Sequence, residues 1–155
     1  MALATSHGTN VTTLNAEDDW KLWGWTDYRD VTDPEKFTLM CIDGEKAAML
    51  TYYDRYVTAM NWQRDWLLRA GRPVVESRGE SELFILLDPQ TERTLSCPRV
   101  VGQLEQNERV SLLLQTAHDR YVTAKNGKED GDWRIWADEP GPIRDEQIFT
   151  LIKQN

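Results

Sequence analysis

Short runs in which apolar and polar residues alternate recur along the whole chain, rich in Val, Thr, Tyr, Phe and Trp and separated by clusters of Gly, Asn, Asp and Pro. Side chains on a strand point to alternate faces, so this pattern predicts half-buried strands joined by turns. No segment shows a sustained helical period.

The pattern is triplicated. Val11-Thr12-Thr13-Leu14-Asn15 returns 46 residues later as Val57-Thr58-Ala59-Met60-Asn61, and a further 65 residues on as Val122-Thr123-Ala124-Lys125-Asn126. Asp19-Trp20-Lys21-Leu22 is matched by Asp65-Trp66-Leu67-Leu68 and Asp132-Trp133-Arg134-Ile135, and Phe37-Thr38-Leu39 by Phe84-Ile85-Leu86 and Phe149-Thr150-Leu151. Three copies of about four strands each predict an all-β fold, a β-trefoil, in which hairpins cap a barrel and cover its edges. One domain spans residues 1–155, with repeats at about 1–40, 41–87 and 88–155. The stretch from Phe84 to His118 is about 18 residues longer than its counterpart from Phe37 to Tyr53, which places an insertion at about 88–109 in the third repeat. Such an insertion is read either as a surface excursion or extra hairpin, or as a functional loop on a rigid scaffold.

Alternation sorts the aromatic residues. Trp20, Leu22 and Gly24 share one parity and match Trp66, Leu68 and Ala70, and Trp133, Ile135 and Ala137. A large, an aliphatic and a small residue in every copy suit strands converging on an axis, so Trp20, Trp66 and Trp133 are expected in the core with the repeated Phe and Val positions. The opposite parity does not repeat: it holds Lys21, Trp23 and Trp25, then Leu67 and Arg69, then Arg134, Trp136 and Asp138. Trp23, Trp25 and Trp136 are therefore expected to point outward or to pack beneath a loop, and Trp62 to lie in a turn. The turns Ser6-His7-Gly8, Tyr52-Tyr53-Asp54 and Ala117-His118-Asp119 correspond to one another, and those in copies two and three pair a ring with a carboxylate. Such pairs suit a binding pocket; they also suit a turn, because Asp bonds readily to nearby backbone donors.

Composition narrows the function. With 18 Lys and Arg against 26 Asp and Glu, the net charge of −8 disfavours nucleic acid and anionic membranes as partners. No targeting segment or membrane-spanning run is seen, so the expectation is a cytoplasmic protein, with secretion by a non-classical route left open. Cys41 and Cys97 are too few for a disulfide framework and lack metal-type spacing; both are compatible with a reducing compartment, and whether they meet is left open. There is no nucleophile elbow, phosphate loop or His-Glu-x-x-His run, so no catalytic residue, metal or cofactor is assigned.

The stretch Thr116-Ala117-His118-Asp119-Arg120-Tyr121-Val122-Thr123-Ala124-Lys125-Asn126-Gly127, followed by Asp132-Trp133-Arg134-Ile135-Trp136-Ala137 and Glu146-Gln147-Ile148-Phe149-Thr150-Leu151, resembles the repeat of fascin-like β-trefoils. Asp54-Arg55-Tyr56-Val57-Thr58-Ala59 with Leu68-Arg69-Ala70 and Glu82-Leu83-Phe84-Ile85-Leu86 is similar to it. Copy one departs from the pattern, with Thr9-Asn10 where the others have Arg-Tyr. The resemblance implies either actin crosslinking, as in fascin proper with its four trefoils, or glycan and surface recognition, as in single-copy relatives.

The expectation is thus a non-catalytic, lectin-like module that recognises carbohydrate through Trp23, Trp25, Tyr53, Asp54, His118, Asp119, Trp136 and Asp138. The alternative is a protein-interaction module, actin-associated or binding a partner subunit through the insertion, as a monomer or homodimer. An inhibitor or toxin acting through protruding loops is a third reading.

Overall fold

The computed structural model describes residues 1–18, 20–27, 31–60, 67–73, 79–125, 134–139 and 143–154. Repeat one forms β1 (Ala2–Ala4), β2 (Thr9–Thr13), β3 (Leu22–Asp27) and β4 (Phe37–Cys41). Repeat two forms β5 (Lys46–Thr51), β6 (Arg55–Ala59), β7 (Leu68–Pro73) and β8 (Phe84–Leu87). The third forms β9 (Arg109–Thr116), β10 (Tyr121–Ala124), β11 (Ile135–Glu139) and β12 (Ile148–Ile152).

Antiparallel pairs β1–β12, β12–β9, β9–β8, β8–β5 and β5–β4 run round a barrel. It closes where the Phe37 amide donates to the Met1 carbonyl at 2.8 Å and the Met1 amino group donates to the Phe37 carbonyl at 2.8 Å. The hairpins β2–β3, β6–β7 and β10–β11 form the cap, and each shifts register at the corresponding place, between Asn10 and Thr12, Tyr56 and Thr58, and Tyr121 and Thr123. Three single bridges join them cyclically: Lys21 to Arg69, Leu67 to Trp136, and Arg134 to Trp23. Each bridge links the residue before Leu22, Leu68 or Ile135 in one repeat to the residue after the matching position in the next, so the pseudo-threefold axis passes through this triangle. The fold is an all-β trefoil.

Inside, Leu22, Leu68 and Ile135 meet Phe37, Phe84, Phe149, Val11, Val57 and Val122, all buried. Burial of each large apolar side chain contributes on the order of 2–3 kcal/mol before the entropy of ordering it. Trp20 corrects the expected core. It is only half-buried, and its φ of 56° places it in the left-handed region just before the strand, so strand alternation does not reach it. Leu22 begins the inward set instead. Trp66, Trp133 and Trp62 lie outside the described residues.

The insertion is also corrected, from a loop or hairpin to a helix, α1 (Cys97–Asn107). Its buried residues Cys97, Val100 and Leu104 form one stripe, Pro98 stands in its first turn, and Glu108 ends it with φ 64°. Cys97 is bonded to Cys41 at the end of β4, which answers the question of whether the two cysteines meet. Among the described residues no helix is long and apolar enough to cross a membrane.

Candidate functional site

Three equivalent turns connect the first two strands of each repeat, and Gly8, Asp54 and Asp119 hold the same place in them with φ of 77°, 57° and 58°. Glycine adopts this conformation without penalty and Asp tolerates it better than most residues. The two carboxylates are exposed, and their position has a backbone reason independent of any ligand. The ring just before each of them reaches an adjacent repeat. His7 Nε2 lies 2.9 Å from the Ala124 carbonyl, Tyr53 meets Trp20 edge to face at 5.5 Å, and His118 Nε2 lies 3.4 Å from Ser81 Oγ. Asp119 also lines a cavity of about 220 Å³ with Lys46, Glu80 and Thr116.

Trp23 and Trp136 come together around the axis. Each is half-buried, Arg134 bridges to Trp23, and its guanidinium carbon sits 4.6 Å from the centre of the Trp136 ring. Trp25 and Asp138 stand on β3 and β11, and their side chains lie outside the described residues. The predicted residues thus divide between the ring at the axis, the Tyr53–Asp54 turn between repeats one and two, and the His118–Asp119 turn between repeats two and three.

At the boundary of repeats one and two the predicted Tyr53 borders a wall that sequence reasoning missed. A cavity of about 420 Å³ is lined by Trp20, Arg55, Thr58, Arg69, Arg72 and Glu82, among others. Tyr53 packs on Trp20, and Tyr52 packs on Tyr53 at 5.4 Å with 53% of its own surface exposed, so three rings step outward from the cavity. Arg55 lies over Trp20 at 4.4 Å, with its Nε donating to the Ala70 carbonyl at 2.5 Å and its Nη2 to the Gly71 carbonyl at 3.2 Å.

Glu82 is 1% exposed, sits in a 3-10 turn, accepts the Gly79 amide on Oε1 at 2.8 Å and pairs there with Arg72 Nε at 2.5 Å. Its Oε2 is buried without a hydrogen-bond partner among the described residues. Glu35 and Gln147 hold the matching buried positions in the other repeats. The sequence carried that signal: each stands two residues before the repeated Phe37, Phe84 or Phe149. Among the described residues no group of three or more His, Cys, Asp and Glu gathers to hold a metal ion.

No family model and no curated protein matches the chain. The structure is similar to the crystal structure of a designed three-fold symmetric protein, ThreeFoil, with a TM-score of 0.69 at 11% identity, covering 99% of this chain and 97% of that one. At that identity the likeness concerns the fold alone, and it agrees with the trefoil derived from strand pairing.

Proposed function

We propose that this trefoil is a non-catalytic binding module that recognises carbohydrate. The supporting observation is the run Trp20, Tyr53 and Tyr52 beside a polar cavity. Aromatic faces pack against the C–H face of a sugar ring, while nearby polar groups fix its hydroxyls. Tyr53 and Asp54 belong to the residue set expected from sequence; Trp23 and Trp136 offer a second aromatic surface at the axis. The fascin-like character of the repeats supports surface recognition by a single-copy trefoil, and the Cys41–Cys97 bond suits an oxidising compartment, as secretion would provide. The test is a glycan array followed by titration of tryptophan fluorescence. Binding that weakens in Trp20→Ala and Tyr53→Ala supports the reading, and an array with no bound glycan rejects it.

A second reading has its own support in the insertion, where a groove of about 460 Å³ runs between Asp88, Thr94 and Leu95 and the α1 residues Arg99, Val100 and Gln103. That surface suits a protein partner, actin-associated or another subunit. Co-sedimentation with actin filaments and size-exclusion chromatography of an Arg99→Glu, Gln103→Glu variant test it; unchanged behaviour of the variant counts against it.

A further inference from the structure

We propose that the cavity between repeats one and two takes the acidic group of an anionic saccharide, a carboxylate or sulfate ester held by Arg55, Arg69 and Arg72 while the sugar ring stacks on the Trp20–Tyr53–Tyr52 wall; this rests on the carbohydrate reading above.

Comparison of the three repeats carries the inference. Strand register makes Arg55, Arg69, Gly71 and Arg72 equivalent to Thr9, Trp23, Trp25 and Thr26 in repeat one, and to Arg120, Trp136, Asp138 and Glu139 in repeat three. Only repeat two has Arg at all three cationic places, and only there is the intervening residue Gly71, which lines the cavity and adds no side chain to fill it. A scaffold requirement would recur in every repeat, as Leu22, Leu68 and Ile135 do. This combination does not recur, and among the described residues it gathers three guanidinium groups and the Glu82 carboxylate at one cavity in a chain whose net charge is −8.

The guanidinium groups are also held in place. Arg55 is fixed by two backbone carbonyls and the face of Trp20, and Arg72 by the buried Glu82. Each guanidinium has five N–H donors in a planar fork, so one anchored along one edge still presents donors on another, in the geometry that matches a carboxylate or sulfate. Holding them beforehand reduces the ordering cost of binding. The second oxygen of Glu82, buried and without a hydrogen-bond partner among the described residues, provides an acceptor at the same wall for a saccharide hydroxyl.

Calorimetric titration with 3′-sialyllactose, 3′-sulfolactose and lactose, and with tetragalacturonate and its methyl ester, tests this. We expect each preferred acidic saccharide to bind at least about tenfold more tightly than its neutral counterpart, since a charge-assisted hydrogen bond is worth roughly that factor. The sialyl and sulfo arms show which acid the site prefers. Arg69→Gln and the double variant Arg72→Gln, Glu82→Gln should abolish the preference while near-UV circular dichroism stays native. The double variant removes both charges of the Arg72–Glu82 pair and gives position 82 the residue type that repeat three has in Gln147. Equal binding of acidic and neutral partners overturns the inference and leaves the carbohydrate reading standing. Preference that survives both variants places the acid elsewhere and also overturns it. Absence of binding to every saccharide defeats the inference and the reading together.

Discussion

Cys41, exposed at the end of β4, is bonded to Cys97, buried at the start of α1, across a sequence separation of 56 residues. The bond fastens the one helical insertion among the described residues to the barrel, where the Cys97 amide also donates to the Gly44 carbonyl at 3.0 Å. Closing a loop of that length removes chain entropy from the unfolded state worth about 4 kcal/mol. Calorimetry with and without reductant should show melting lowered by on the order of 10 °C in reduced protein. Saccharide binding at the cavity of Trp20 should persist well below that temperature. Identical melting in both conditions would show that the bond adds no stability.

The equivalence of Gly8, Asp54 and Asp119 predicts an unusual order of substitutions. Asp54→Gly and Asp119→Gly should change stability by no more than about 0.5 kcal/mol, because glycine relieves the left-handed backbone strain as it unfreezes the unfolded chain. Asp54→Val should cost roughly 1–2 kcal/mol for the same φ. Denaturant unfolding measures all three. Loss of saccharide binding in a stable Asp54→Gly variant would assign the carboxylate to the ligand as well as to the turn.

How far the sequence revealed this molecule depends on whether a feature recurs. The trefoil was legible because Val11, Val57 and Val122, and Phe37, Phe84 and Phe149, occupy the same places in three copies, and strand alternation translates directly into burial. Trp20 recurs as well, but its left-handed backbone lies outside the strand, so the parity argument that worked for Leu22 failed one step earlier. Helix α1 has no counterpart to compare, and its apolar stripe rests on just Cys97, Val100 and Leu104, interrupted by Pro98 and Gly102. Its start signals, Ser96 with Pro98 two residues further on, were present in the sequence. The candidate cavity was harder still, since its arginines are an exception to the repeat and Glu82 gains meaning only from burial.

Two loop carboxylates set an acid dependence. Asp43 accepts the amides of Glu45 and Lys46, each at 2.8 Å, and Asp88 accepts those of Thr91 at 3.0 Å and Gln90 at 2.8 Å. These backbone donors hold both carboxyl groups below their ordinary value of 3.8, the Glu45 and Thr91 amides having the largest effect. A depressed folded value contributes stability above the unfolded value, and that contribution is lost as pH falls from about 3.8 through the folded value. Carbon-detected NMR titration should find both midpoints below 3.8. Asp43→Asn should flatten the acid limb of the stability curve, and a midpoint at or above the ordinary value would contradict the backbone explanation.

Trp20 and Leu68 separate binding from packing. Leu68→Ala empties a fully buried core position and should cost about 2–5 kcal/mol, with the saccharide affinity of the remaining folded protein unchanged. Trp20→Ala removes a half-buried ring outside the core cluster; it should cost about 1 kcal/mol, within the ordinary range for single substitutions, and abolish binding at the cavity. Chemical denaturation and fluorescence titration on the same preparations distinguish the two effects. The reverse order, with Trp20→Ala the more destabilising, would return Trp20 to the structural core.

Glu82 and Arg72 provide the complementary case, in which the charge arrangement matters more than volume. Removing Arg72 takes away an ion-pair partner from a carboxylate that is 1% exposed and leaves it the Gly79 amide among the described residues, and buried charges that lose a partner are strongly destabilising. Because the side chain of Arg72 is itself 39% exposed, solvent screens part of the effect, and the expected cost of Arg72→Ala is about 1–3 kcal/mol. Glu82→Gln keeps an oxygen for the Gly79 amide and removes the charge. The third repeat already uses that solution, with the Gln147 oxygen accepting the Arg144 amide at 2.6 Å and its nitrogen donating to Thr123 at 3.1 Å. Glu82→Gln should therefore fold with a loss below about 1 kcal/mol, and adding it to Arg72→Ala should recover most of the stability that the single variant loses. A double variant no more stable than Arg72→Ala alone would show that Arg72 acts through the packing of its stem rather than by neutralising Glu82.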